Sequence, residues 1–196
     1  MAIAAATTSV IIGIIAGAIA GFYGGIVDIM IMRITEMFQI MPMFVLAALI
    51  VAMTGAGLTQ VILVIALLSW PQVAHLMRGE VLRVRQMEFI QAAYVLGIRE
   101  RFIILRQVIP NALTPVIALT TLMIGQAILL EASLGFLGLS NPEQMSWGKM
   151  LNNGQRFVSQ AWWLSAFPGM AIFMTVLAFN LAGDAVGRMF DPRRSR

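Results

Sequence analysis

No cysteine occurs anywhere in the 196 residues, which excludes a disulfide framework and a thiolate metal site and leaves stability to packing. Charge is scarce as well: 11% of the residues are Asp, Glu, Lys or Arg, against roughly 25% in a soluble domain. A single histidine, His75, is present, so no H-E-x-x-H zinc site can be assembled and a Ser–His arrangement is poorly placed. The one lysine, Lys149, follows Gly148 outside any G-x-x-x-x-G-K-[ST] loop, so the chain carries no phosphate cradle of its own. The amino terminus, "MAIAAATTSV", lacks a positive n-region and a small-residue cleavage site, which argues against a secretory signal.

What is there is apolar. Hydrophobic residues make up 60% of the chain and the mean hydropathy is +0.88, values of an integral membrane protein. Five stretches approach the ~20 apolar residues that cross a bilayer core of about 30 Å: 3–21, 37–53, 58–76, 111–130 and 163–183, none with Asp, Glu, Lys or Arg. The predicted fold class is therefore all-α and polytopic, one transmembrane domain over 1–196. A short connection (22–36), a tight "TGAG" turn, a charged central loop (78–110) and a Gly, Asn and Ser-rich loop (131–162) link the spans.

The basic residues set the topology. Eleven of the thirteen Lys and Arg fall in the first connection, the central loop and the tail; Lys149 and Arg156 fall opposite. That excess predicts a cytoplasmic central loop (78–110) and an extracytoplasmic 131–162 loop. The amino terminus is then outside, which predicts that at least one preceding span is absent from this sequence. A pI near 10.7 could point to nucleic acid, but the basic residues are not interleaved with aromatics on a polar surface, so no nucleic-acid site is expected. Ion pairs on the cytoplasmic side are expected of Asp184, and of Asp191 with Arg188 and Arg193.

Within the central loop, "MEFIQAAYVLG" places Phe89, Ala92, Ala93 and Leu96 at i, i+3, i+4, i+7, an apolar helical face. Glu88 and Gln91 lie off that stripe, and Gly97 stands where a left-handed residue commonly ends a helix. So short a helix is marginal alone in water. It either docks on a partner or lies on lipid headgroups, which flanking arginines also favour.

Other features have two readings each. Gly13, Gly17 and Gly21, spaced four apart, form a small-xxx-small stripe for close helix packing. Thr114, Thr120, Thr121, Gln126 and Glu131 put polar groups on the fourth span, either lining a solute pathway or hydrogen-bonding between helices. Pro71 predicts a bend in the third span. His75 reads as an interface residue, and the fifteen methionines, scattered through apolar segments, read as core filler rather than metal ligands.

Glu88, "QAA" at 91–93, Gly97 and "IPN" at 109–111 resemble the EAA signature of permease subunits in binding-protein-dependent ABC importers, spacing included. "AGFYGGIVDIMIMR" (20–33), "EASLGFLGL" (131–139), "SWGKML" (146–151) and "FPGMAIFMTVLAFNLAGDAVGRMFDPR" (167–193) are similar to the C-type permeases of the oligopeptide, dipeptide and nickel group. The resemblance implies the type I ABC importer fold and a coupling helix, with Glu88, Gln91, Ala92, Ala93, Gly97, Ile109 and Pro110 at the junction with an ATPase. It implies as partners a second permease, two ATP-binding subunits that hold ATP and Mg, and an extracytoplasmic solute-binding protein contacting 131–162. No cofactor, metal or catalytic residue is then expected in this chain, which would sit in a bacterial or archaeal inner membrane and pass peptides or a related solute such as nickel. The family's usual Glu is replaced here by Gln91, which keeps size and hydrogen bonding but removes the charge an ion pair to the ATPase would use at that position. A gradient-driven secondary transporter is the alternative. Spans without ionisable residues weigh against it, although unwound backbone can bind sodium without charge.

Overall fold

The computed structural model describes residues 1–141 and 143–189, and these are helical almost throughout. Lipid offers no partner for a free N–H or C=O, so each apolar run closes its backbone bonds internally as a helix. In order they are α1 (Ala2–Tyr23), α2 (Gly25–Ile40), α3 (Met43–Thr54), α4 (Leu58–Arg85), α5 (Glu88–Val95), α6 (Glu100–Ile103), α7 (Ile109–Phe136), α8 (Trp147–Gly154) and α9 (Trp163–Met189). A π-helical turn (Ile104–Val108) joins α6 to α7, giving one apolar helix of 37 residues from Glu100 to Phe136.

Among the described residues, four helices are long and apolar enough to cross a membrane, or five if the bent pair α2–α3 is one span. The bend, 83°, falls at Met41–Pro42, where Met41 is extended and Pro42 opens α3. The residue before a proline is pushed out of the α region, so the 37–53 stretch, expected as one run, is divided. The 22–36 connection is mostly helix as well. Gly24 and Gly25, at φ 65° and 55°, turn the chain where a side chain would be strained, and α2 begins at once.

α1 and α4 run parallel. Gly13 lies against Trp70 and Val73, Gly17 against Ala74 and Met77, and Gly21 against Arg78 and Val81. A Cβ on Gly17 would lie 2.8 Å from the Met77 Cβ, and one on Gly21 would lie 2.9 Å from the Arg78 carbonyl oxygen. α7 runs back against both, because Val116 falls in one apolar cluster with Phe22, Val81 and Val84, whereas Leu134 falls in another with Ala5 and Val61. α9 covers α7, with Gly183 on Thr121 and Gly125 beside Asn180. Pro71, buried, sits inside α4 without ending it.

The bundle thus has two ends. At one lie the last turns of α1 and α4, all of α5, and α6. The other carries the α3–α4 turn and α8, whose Gly148 packs on Ala132.

Candidate functional site

α4 continues through Arg85, so the first part of the predicted central loop is helix, and its last part, 100–110, already belongs to the long α6–α7 helix. What projects between them is α5. Its first residue, Glu88, puts a carboxylate in the first turn, where the helix dipole favours negative charge.

Its end is fixed by Gly97, at φ +71°. The Gly97 N–H donates to the Tyr94 carbonyl at 3.0 Å and the Ile98 N–H to the Ala93 carbonyl at 3.2 Å, the two bonds of a Schellman motif. Ala93 and Ile98 pack into one apolar cluster, as that motif favours.

The face of α5 turned to the bundle is Met87, Ile90, Ala93 and Tyr94, with Ile90 fully buried and Ala93 4% exposed. The stripe read from the sequence is a different one. Of Phe89, Ala92, Ala93 and Leu96, only Ala93 is buried, and Leu96 is 78% exposed. Apolar periodicity locates an amphipathic face, but here both faces of a short helix are apolar. The exposed surface is therefore Phe89, Ala92, Val95 and Leu96, bordered by Glu88 and Gln91.

Gln91 does not reach outward. Its amide Nε2 donates to the Arg85 carbonyl at 2.9 Å, while the Arg85 guanidinium donates to the Gly21 carbonyl at 3.1 Å and to that of Phe22, and lies 5.0 Å above the Phe22 ring. The last carbonyls of a helix have no intrahelical partner, and a cation there is favoured by the dipole. Nearby, Arg78 in α4 forms a bidentate pair with Asp28 in the first turn of α2, the side chains being 33% and 15% exposed. Sequence reasoning used Arg78 and Arg85 only as topology markers. Asp28, a lone acid in the apolar run "IVDIMIM", was the available signal, since such a residue is costly without a partner.

Ile109 packs into the cluster beneath α5, and Pro110 is exposed in the first turn of α7. The polar residues of α7 do not share one direction. Thr114 and Thr121, seven apart, lie on one side, and Thr121 meets Gly183 of α9. Thr120 and Glu131, eleven apart, lie on another. Gln126 is exposed on a third. Thr120 and Thr121 satisfy their hydroxyls on the carbonyls of Val116 and Ala118, within their own helix.

The predicted 131–162 loop is shorter than expected. α7 runs on to Phe136, and Gly138, at φ +80°, ends it. Ser146 then accepts from the Lys149 N–H at 3.3 Å to cap α8. Glu131 lines a cavity of about 240 Å³ with Ser140, Asn141, Gln144 and Ser146. His75 is partly buried in α4 and its Nε2 finds no partner among the described residues. Asp184 lies in α9; the expected pairs of Asp191 and Arg193 lie outside the described residues.

Residues 11–196 match the family described as binding-protein-dependent transport system inner membrane component. The dipeptide transport system permease protein DppC of Alkalihalophilus pseudofirmus is 40% identical over 96% of this chain and 62% of its own length. The probable D,D-dipeptide transport system permease protein DdpC of Escherichia coli is 39% identical (93% and 61%). The oligopeptide transport system permease protein OppC of Haemophilus influenzae is 36% identical (97% and 62%). The chain thus spans about three fifths of the length of the curated relatives it matches. In fold it is similar to a chain of the MetNI methionine ABC transporter in inward-facing conformations, at a TM-score of 0.76 and 17% identity, covering 95% of this chain and 89% of that one. Helices long and apolar enough to cross a membrane, a family match over nearly the whole length and relatives at these identities lead to one conclusion: the chain belongs to the family of binding-protein-dependent transport system inner membrane components.

Proposed function

We propose that the chain is the transmembrane permease subunit of an ATP-driven importer of peptides or a related small solute, with ATP and Mg held by a separate ATPase. The observation that carries this reading is α5: a helix of 8 residues, stopped by a glycine cap, whose outer surface is Phe89, Ala92, Val95 and Leu96. Val95 is 88% exposed, at a level where eight charged residues in 78–101 speak for water rather than lipid. A small-residue centre at Ala92 ringed by larger apolar groups suits a cleft on another protein.

In this reading Glu88, Gln91, Ala92, Ala93, Gly97, Ile109 and Pro110 form or support the junction with the ATPase, on the cytoplasmic side. Two ATP-binding subunits, a second permease, and an extracytoplasmic solute-binding protein on the α8 end complete the assembly in a bacterial or archaeal inner membrane. Closure of the ATPase pair moves α5, and the helices behind it re-pack to open the pathway to the opposite face. Peptides are favoured as the solute by the names of the relatives; the pathway residues proposed are Thr114, Thr120, Thr121, Gln126 and Glu131. Gly13, Gly17 and Gly21 hold α1 to α4 as one unit.

Co-purification of the complete complex in detergent tests the reading. Ala92→Glu and Gly97→Asp should lose the ATPase while keeping the partner permease. Unchanged ATPase recovery in both variants would return α5 to a lipid-surface role.

A further inference from the structure

We infer that Arg85 is a positioning residue that ties α5 to the end of α1, so that the two move together with α4. The inference rests on the proposed role of α5 as the junction with an ATPase.

The tie has two links through one residue. On the main-chain side, the Arg85 carbonyl accepts from the Gln91 amide at 2.9 Å, across the α4–α5 break. On the side-chain side, the guanidinium donates to the carbonyls of Gly21 and Phe22, the last turn of α1, and covers the Phe22 ring at 5.0 Å. An arginine at the boundary of a membrane span ordinarily snorkels toward water and headgroups. Here the head is turned inward, onto the negative end of a neighbouring helix.

Each link depends on the residue type. A carbonyl oxygen only accepts, so position 91 must bring a donor; a glutamate there could not make this bond. The amide that departs from the family's usual Glu is thus the partner this geometry needs. The planar guanidinium both donates to the α1 carbonyls and lies over an aromatic ring, which a lysine ammonium cannot do together. α1 and α4 are also interlocked at Gly13, Gly17 and Gly21, so a displacement of α5 reaches a rigid pair rather than a single helix. In this chain position 91 serves the internal linkage, and the exposed Phe89, Ala92, Val95 and Leu96 are left to face the ATPase.

Hydrogen–deuterium exchange on the complete transporter, nucleotide-free and trapped with Mg-ATP and vanadate, tests this. In the wild type, segment 88–97 and segment 20–25 should both change exchange on trapping. In Arg85→Gln, segment 88–97 should still respond, while 20–25 exchanges about tenfold faster at rest and no longer responds, having lost two charge-assisted bonds. Gln91→Glu, at an exposed position that leaves the core untouched, should uncouple the two segments without loosening 20–25. A wild type in which 20–25 is indifferent to nucleotide, or variants in which it follows 88–97 as before, would overturn the tie. A wild type in which 88–97 itself ignores the ATPase and nucleotide would instead overturn the proposed function and the tie with it.

Discussion

Replacing Gly17 by alanine should weaken the molecule although alanine is the better helix former. A Cβ at Gly17 would overlap the Ala74 carbonyl oxygen and stand 2.8 Å from the Met77 Cβ and 3.0 Å from the Arg78 nitrogen, where non-bonded carbon contacts settle near 3.5–4.0 Å. Two of those three atoms are backbone in the middle of α4, so no side-chain rotation relieves the overlap and the helices must part by roughly 1 Å. A gap of that size forfeits about a quarter to a half of each contact's dispersion energy, and overpacking of this kind costs typically 1–3 kcal/mol. Helix propensity returns about 1 kcal/mol of it, leaving a net loss of up to ~2 kcal/mol. Gly79, also in α4, is the internal control: nothing lies within 4 Å of a Cβ built there, so Gly79→Ala should be neutral or stabilising by up to ~1 kcal/mol. The assay is thermal unfolding of both variants in the same detergent, where ~1 kcal/mol corresponds to about 2–4 °C at this chain length. A Gly17→Ala protein melting above the wild type, as Gly79→Ala is expected to, would refute the α1–α4 interlock.

Gly97→Ala forces a side chain into the left-handed region that the cap requires, at a cost of ~1–2 kcal/mol; amide exchange at Ile98 should accelerate, and an unchanged rate would show that the cap is not needed. Asp28→Asn removes one charge from a pair that is largely shielded, a loss on the order of 1–3 kcal/mol, between exposed and buried pairs. A double-mutant cycle with Arg78→Gln reads the coupling from melting temperatures, and additive effects would mean the pair does not tie α2 to α4. Gln126→Leu, at an exposed position on α7, should leave stability within ~0.5 kcal/mol but reduce solute uptake by the assembled transporter; full uptake with intact assembly removes Gln126 from the pathway.

Long apolar runs without charge were legible as membrane helices because lipid leaves the backbone no alternative to internal hydrogen bonding. The glycine at 97 was legible as a helix stop because its requirement, a positive φ, is local. The motifs at 88–111 and 131–151 carried the family for the same reason: they are contiguous strings of residues.

Partnerships across the chain were not legible. Pro42 was in plain view, yet whether it would bend a span or end it depended on what α2 and α3 pack against. The apolar stripe of α5 was legible, but which residues turn to the bundle was not, because both faces are apolar and only contact with α4 and the helix after it makes Ile90 and Ala93 the buried ones. Arg85 and Gly21 stand 64 residues apart, and Arg78 and Asp28 stand 50 apart. The sequence by itself determined a polytopic helical membrane chain, its family and the place of the short helix α5, because these follow from composition, local backbone preference and short motifs. Which charges pair, which glycines interlock and which face of α5 is left open were decided by tertiary structure, because each depends on the distance between atoms that the chain order keeps apart.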